Sequence, residues 1–206
     1  VADVTADYAV VSGLRGGPAG TAEPPADLPE GAIALGDDVL LPRRLLPEHL
    51  GRRPVGLWAY EALRIEAHVP RLGFETDHKT IPHEVGWIGA AVHLNKGCYR
   101  GQETVARVHN LGHPPRRLVF LHLDGSVDIL PRHGDPVTLD GEQVGFVGSA
   151  ARHHELGPIA LALVKRTVPV DATLLAAGVA AAQTVIVPPD AGRNVKIDPA
   201  LRRRLR

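Results

Sequence analysis

The chain has 206 residues, with 23 basic and 23 acidic side chains and no net charge when its 11 histidines are neutral. That length supports one large domain or two modest ones with a packed core, and the charge balance excludes a global field that would draw the chain to nucleic acid or anionic membrane. One cysteine excludes an internal disulfide framework. The longest apolar stretch, 174–187, is shorter than a membrane-spanning helix and is interrupted by Gly178 and Gln183. The opening VADVTADYAVVSG has acidic flanks and does not read as a signal peptide, so a cytoplasmic location is expected. The chain contains no methionine and opens on what reads as a strand already under way, which predicts that an N-terminal portion is missing here.

The first predicted strand covers 8–12, where the sequence turns β-branched. RGGPAGTAEPPADLPEG predicts a loop from its glycines and prolines. GAIALGDDVLLP predicts a hairpin, 32–35 and 39–41, around a turn at 36–38. RRLLPEHLG predicts a short helix or turn closed by Gly51. The strongest helical signal is PVGLWAYEALRIEAHVPRLG, bracketed by Pro54 and Pro70, with Trp58, Ala62, Leu63 and Ile65 on a broad apolar face. From 73 to 95, Pro82, Gly86 and Gly89 prevent a long element. GQETVARVHN predicts a second helix opening after Gly101, where Glu103 suits the positive end of the helix dipole. Pro114 and Pro115 cannot continue that helix and mark a domain boundary.

Beyond the prolines, strands are predicted at 117–123, 136–139, 143–148, 159–165 and 184–187. Short strands between turn segments such as DGE and HHELGP argue for a small barrel or sandwich. ATLLAAGVAAAQTVIVP reads as helix by its alanines and as two strands around a turn by Gly178 and its β-branched end; the second reading is preferred. The chain divides into 1–112, a barrel at 113–190, and a basic tail at 191–206.

The lone cysteine lies in NKGCYRGQETVAR, between Lys96 and Arg100. In an extended segment alternate side chains share one side, and neighbouring cations and a following helix N-terminus stabilise a thiolate. The residues leave two readings open, a functional thiol and a small buried hydrophobe. No H-E-x-x-H frame is present, and Gly112 and Pro114 argue against one helix presenting both His109 and His113, so no metal is expected. The glycine run SGLRGGPAG lacks a P-loop lysine, and no serine sits in a G-x-S-x-G frame. The arginine pairs 43–44, 52–53 and 116–117 read as solvated surface. Glu66, if buried, would need hydrogen-bond partners, which a polar heterocycle could supply.

KGCYRGQE resembles the K-G-C-[FY]-x-G-Q-E signature of the YgfZ proteins, folate-binding relatives of the glycine-cleavage T-protein. ALRIEAHVPR resembles that family's R-x-E-A-G-x-P segment, and RRLVFLHLDG with GEQVGFVGSAARHHELGPIALALVKR resembles the barrel shared with the T-protein. The resemblance covers about 57–187 well and the first fifty residues more weakly. It implies an α+β fold, a ferredoxin-like folate-binding platform, incomplete here at its N-terminus, followed by a C-terminal antiparallel β-barrel. It implies tetrahydrofolate, or another folate, as cofactor. Cys98 matches the family's functional thiol, with Lys96 beside it; Glu66 matches the glutamate that contacts the pterin ring in the T-protein. Arg64, Tyr99 and Gln102 are the further cofactor-binding candidates. Two departures stand out: His68 replaces the glycine after Glu-Ala, and Gln102 stands where the T-protein tends to carry a basic residue. The implied function is a tetrahydrofolate-dependent accessory protein for assembly, maintenance or repair of iron–sulfur enzymes, affecting tRNA modification indirectly. Its expected partners are those enzymes or their assembly factors, with neither membrane nor direct nucleic-acid binding. The alternatives are a folate-dependent aminomethyltransferase like the T-protein and a non-catalytic folate-binding docking module.

Overall fold

The computed structural model describes residues 3–12, 28–35, 38–46 and 55–194. Most of the predicted Gly- and Pro-rich loop, most of the 36–38 turn, Arg52 and Arg53, and the tail from 195 lie outside these. The chain divides into two compact units, Val1–Val69 and Pro70–Arg206. The second holds residues 70–112 together with the barrel, whereas the division drawn from sequence falls at 112/113.

In the first unit, β1 (Tyr8–Ser12), β2 (Ile33–Leu35) and β3 (Asp38–Pro42) form an antiparallel sheet in the order β1-β3-β2. The central strand pairs Ser12 with Asp38 on one side and Ile33 with Leu40 on the other. Helix α1 (Leu57–Glu66) begins behind Gly56 without a side-chain cap. Its burial is confined to Ala62, Arg64 and Ile65. Trp58 lies two turns before Ile65 on the same stripe, yet it is 89% exposed. The expected broad apolar face is therefore covered only toward its C-terminal end.

In the second unit a 3₁₀ turn at Pro82–Val85 and helix α2 (Gln102–Leu111) precede the barrel. Strands β4 (Arg116–Leu123), β5 (Pro136–Leu139), β6 (Glu142–His153), β7 (Gly157–Lys165), β8 (Leu174–Ala176) and β9 (Val179–Val185) close in the order β4-β7-β6-β5-β8-β9, with β9 returning to β4. Every pairing is antiparallel, and closure removes the exposed edges an open sheet would carry. Val119, Leu121 and Leu123 alternate into the central core with Ala160, Ala162 and Val164, each buried Val or Leu contributing roughly 1.5–3 kcal/mol. The other face of β4 and β7 is apolar and buried as well, at Leu118, Phe120, Leu161 and Leu163. The 3₁₀ turn packs against β4, which accounts for the continuous apolar run of that strand.

The ambiguous alanine-rich stretch forms β8 and β9, joined by Ala177 and Gly178 at φ 50° and 82°, the left-handed pair that a tight hairpin turn demands. β9 begins at Val179, earlier than the strand predicted at 184–187. β6 runs past the predicted end at 148 through a bulge between Val147 and Ser149. Gly148 sits at that bulge because the Glu75 carboxylate occupies the space: a Cβ there would lie 2.5 Å from Oε1. The arginine pair at the start of β4 is not solvated surface. Arg117 is fully buried, its Nη2 donating to Gln183 Oε1 at 2.8 Å and to the Val168 carbonyl at 3.1 Å.

Candidate functional site

The signature loop lies between the 3₁₀ turn and α2. Residues 94–97 turn and bend rather than extend, so the alternation expected to align Lys96, Cys98 and Arg100 does not apply. Cys98 is exposed, as are Lys96 and Arg100. This surface position does not fit the small buried hydrophobe, one of the two readings the residues left open. Lys96 Nζ stands 5.5 Å from the centre of the Tyr99 ring, a cation–π distance. The Tyr99 carbonyl accepts the Gln102 N–H at 3.2 Å. Gly101, at φ 84°, turns the loop into α2 through a backbone conformation that favours glycine. No side chain caps that helix start, which places its positive dipole end just after the thiol in sequence.

Glu66 and Arg64 belong to the last turn of α1 in the first unit. Arg64 is 2% exposed. Its Nε and Nη2 donate to Glu61 Oε2 at 3.2 and 2.8 Å, and its Nη1 donates to the Val69 carbonyl at 2.6 Å. Glu66, two residues further and so on another side of the helix, is exposed. The departure at His68 leaves the backbone intact. His68 has φ 58°; its N–H donates to the Ile65 carbonyl and that of Val69 to the Arg64 carbonyl, both at 3.0 Å. This is the Schellman pattern that closes helices at a left-handed, usually glycine, position.

One structural pair escaped the sequence reading. Glu84, fully buried in the 3₁₀ turn, accepts Nε and Nη2 of Arg116 at 2.8 and 2.9 Å and the Ile81 N–H at 3.1 Å. The available signal was the glutamate three residues after Ile81, the spacing at which a side chain reaches back to a turn's opening N–H. Among the described residues no group of three or more His, Cys, Asp and Glu side chains could hold a metal ion, and no helix is long and apolar enough to cross a membrane.

Residues 116–202 match the family described as the glycine cleavage T-protein C-terminal barrel domain, a span that contains all six barrel strands. An aminomethyltransferase of Geobacillus kaustophilus is 42% identical over 118 residues, 56% of this chain and 31% of that protein. A trimethylamine-oxide aldolase of Ruegeria pomeroyi is 40% identical over 117 residues, 55% of this chain and 14% of that protein. The chain thus spans less than a third of the length of either relative. The crystal structure of glycine cleavage system aminomethyltransferase T from Bartonella henselae aligns with a TM-score of 0.59 at 24% identity, covering 77% of this chain and 47% of that one. At that identity the likeness is one of fold. The architecture is α+β with a T-protein-type C-terminal barrel, which is what the resemblance implied.

Proposed function

We propose that this chain, T-protein-like in its barrel, is part of a tetrahydrofolate-binding, aminomethyltransferase-like protein. The barrel match is the observation on which this rests, and the aminomethyltransferase relatives support it. Glu66 would hold the pterin edge. Its exposed carboxylate only accepts hydrogen bonds, and a pterin presents adjacent N–H donors, so the two are matched in kind. Arg64 would act as a positioning residue, since its donors are committed to Glu61 and Val69 and hold the turn that bears Glu66. Tyr99 and Gln102 are the candidates to orient the cofactor from the signature loop. Bound tetrahydrofolate would supply a carrier for a one-carbon unit.

A second reading is favoured by the exposed thiol within KGCYRGQE. Here the protein is a YgfZ-type accessory factor for assembly, maintenance or repair of iron–sulfur enzymes, with an indirect effect on tRNA modification. Cys98 would be its functional thiol, exposed in the same loop as Lys96. The one cysteine of this chain cannot supply four thiolate ligands, so any cluster it handled would be shared with a partner, another subunit or a small thiol.

The two readings give Cys98 opposite weight. Full-length wild type and Cys98→Ser should be compared in two assays. One is tetrahydrofolate-dependent transfer from an aminomethyl donor. The other is complementation of a strain lacking the protein, read as activity of an iron–sulfur tRNA-thiolating enzyme. Transfer by both proteins supports the first reading. Rescue by wild type but not by Cys98→Ser supports the second. Failure of the full-length protein to bind tetrahydrofolate in calorimetry overturns both.

A further inference from the structure

The signature loop buries little of itself. Residues 93–98 are all exposed, and Tyr99 is only partly covered, so the loop's own packing does not fix its position. Its place is set by α2, the helix it enters. Within α2 only Val105 is buried. The helix packs on the 3₁₀ turn, where the His109 ring stands 5.7 Å from that of His83 at a 41° tilt. Burial first, and the neighbouring His109 second, hold His83 below the usual imidazole value, so its ring packs there uncharged near pH 7.

The far end of α2 is gripped by the chain after β9. The last four carbonyls of a helix have no partner within it. In α2 two of these are taken by residues 191–194: the Arg193 N–H donates to the Val108 carbonyl at 3.2 Å, and the Asn194 N–H to the His109 carbonyl at 2.9 Å. Asn194 Nδ2 donates to the same His109 carbonyl at 2.9 Å, so both lone pairs of that oxygen are used. The amide nitrogen also lies 3.1 and 3.3 Å from Nδ1 and Nε2 of the His109 ring. His113 Nδ1, just past the helix, donates to the Ala191 carbonyl at 2.9 Å. Gly192 and Arg193 both have left-handed backbones, at φ 87° and 51°. A residue with a Cβ holds that conformation only where its surroundings fix it. At Gly192 a Cβ would lie 2.5 Å from the Gly112 carbonyl oxygen and 2.8 Å from that of Val108, so the approach requires glycine.

We propose that residues 191–194 are a clasp that positions the signature loop through α2, with Gly192 and Asn194 as its positioning residues. A ten-residue helix is a rod about 15 Å long. A shift at its gripped end is therefore carried to Gln102 and to the loop before it. Both readings of function use that loop, one through Tyr99 and Gln102 and the other through Cys98. The functional consequence rests on those readings, whereas the mechanical coupling does not and is tested with neither folate nor cluster present.

The exposed lone thiol supplies the probe. A nitroxide on Cys98 and a second on Leu175→Cys, an exposed position of β8, report the distance distribution between loop and barrel by pulsed electron resonance. Amide hydrogen exchange is measured alongside on the full chain. The wild-type distribution should be narrow, and a broad one overturns the proposal. Asn194→Ala should speed exchange across 102–111 by about threefold to tenfold, and Gly192→Ala, which pushes the whole segment away, by about tenfold or more. Exchange in β6 and β7 should not change, and both variants should broaden the Cys98 distribution. If Gly192→Ala does not fold, Asn194→Ala decides alone. Unchanged exchange in α2 overturns the proposal, as does faster exchange spread equally through the barrel, which marks a general loss of stability. Faster exchange in α2 with an unchanged Cys98 distribution also overturns it, because the loop would then be placed independently of the helix.

Discussion

Replacing Glu84 with alanine should unfasten the 3₁₀ turn from the barrel. Glu84 is fully buried and receives two guanidinium N–H groups of Arg116, the first residue of β4, together with the Ile81 N–H. Hydrogen bonds to charged groups contribute about 1.5–3 kcal/mol each, and breaking a buried ion pair from one side costs about 3–5 kcal/mol. The Arg116 side chain is 30% exposed, so water recovers part of its solvation once the carboxylate is gone. The expected loss is therefore at the lower end, about 3 kcal/mol, with Glu84→Gln losing about half as much because one acceptor oxygen remains. Urea unfolding followed by Trp87 fluorescence measures this locally, since the Trp87 N–H donates to the Pro82 carbonyl at 3.0 Å. A Trp58→Phe background removes the only other tryptophan. Glu84→Ala combined with Arg116→Ala should cost about 2 kcal/mol less than the sum of the single changes. A loss under about 1 kcal/mol for Glu84→Ala, or no coupling to Arg116, would refute the claim that this pair fastens the turn.

Three further outcomes follow from single positions. Gly148→Ala places a Cβ 2.5 Å from a carboxylate oxygen of Glu75, itself 1% exposed; thermal melts should show a loss of about 1–3 kcal/mol, and a wild-type melt would mean that Glu75 moves aside freely. His68→Gly relieves the left-handed backbone at φ 58° and should stabilise the first unit by about 0.5–1 kcal/mol in urea unfolding read at Trp58, a result reversed if the His68 side chain contributes more than its backbone costs. His83 has a folded pKa below the ordinary value of about 6.5, so the unfolded chain takes up that proton first as pH falls. Its contribution to stability is full above about pH 6.5 and declines below that until the folded ring also protonates; His83→Gln should flatten this part of the stability–pH curve, and an unchanged slope would contradict the assignment.

The barrel was legible because its information is local. β5 occupies the predicted residues, and β8 and β9 emerge from an alanine-rich stretch once Ala177 and Gly178 supply the left-handed pair of a hairpin. The arginines at 116 and 117 were not legible, although they are adjacent, because the two-residue period of β4 sends them to opposite faces. One reaches a carboxylate 32 residues earlier and the other an amide 66 residues later, and neither partner leaves a trace in the neighbouring sequence. The candidate site divides in the same way. Its resemblance is carried contiguously by KGCYRGQE, whereas the exposure of Cys98 depends on which segments pack over the loop.

His68 shows why the identity of a residue and the shape it adopts have to be judged separately. Its side chain departs from the resembled motif, which carries glycine at that place. The two carbonyls that it and Val69 satisfy, those of Ile65 and Arg64, require a left-handed residue at 68 whatever its side chain. Two hydrogen bonds, worth about 0.5–1.5 kcal/mol each, together offset the roughly 1–2 kcal/mol that a Cβ costs in that conformation. The turn that presents Glu66 therefore keeps the shape a glycine would give it. The same bonds are kept in His68→Gly, so the substitution should leave any folate affinity at Glu66 unchanged while raising stability; a change in affinity would mean that the His68 side chain, and not the backbone, shapes that end of the helix.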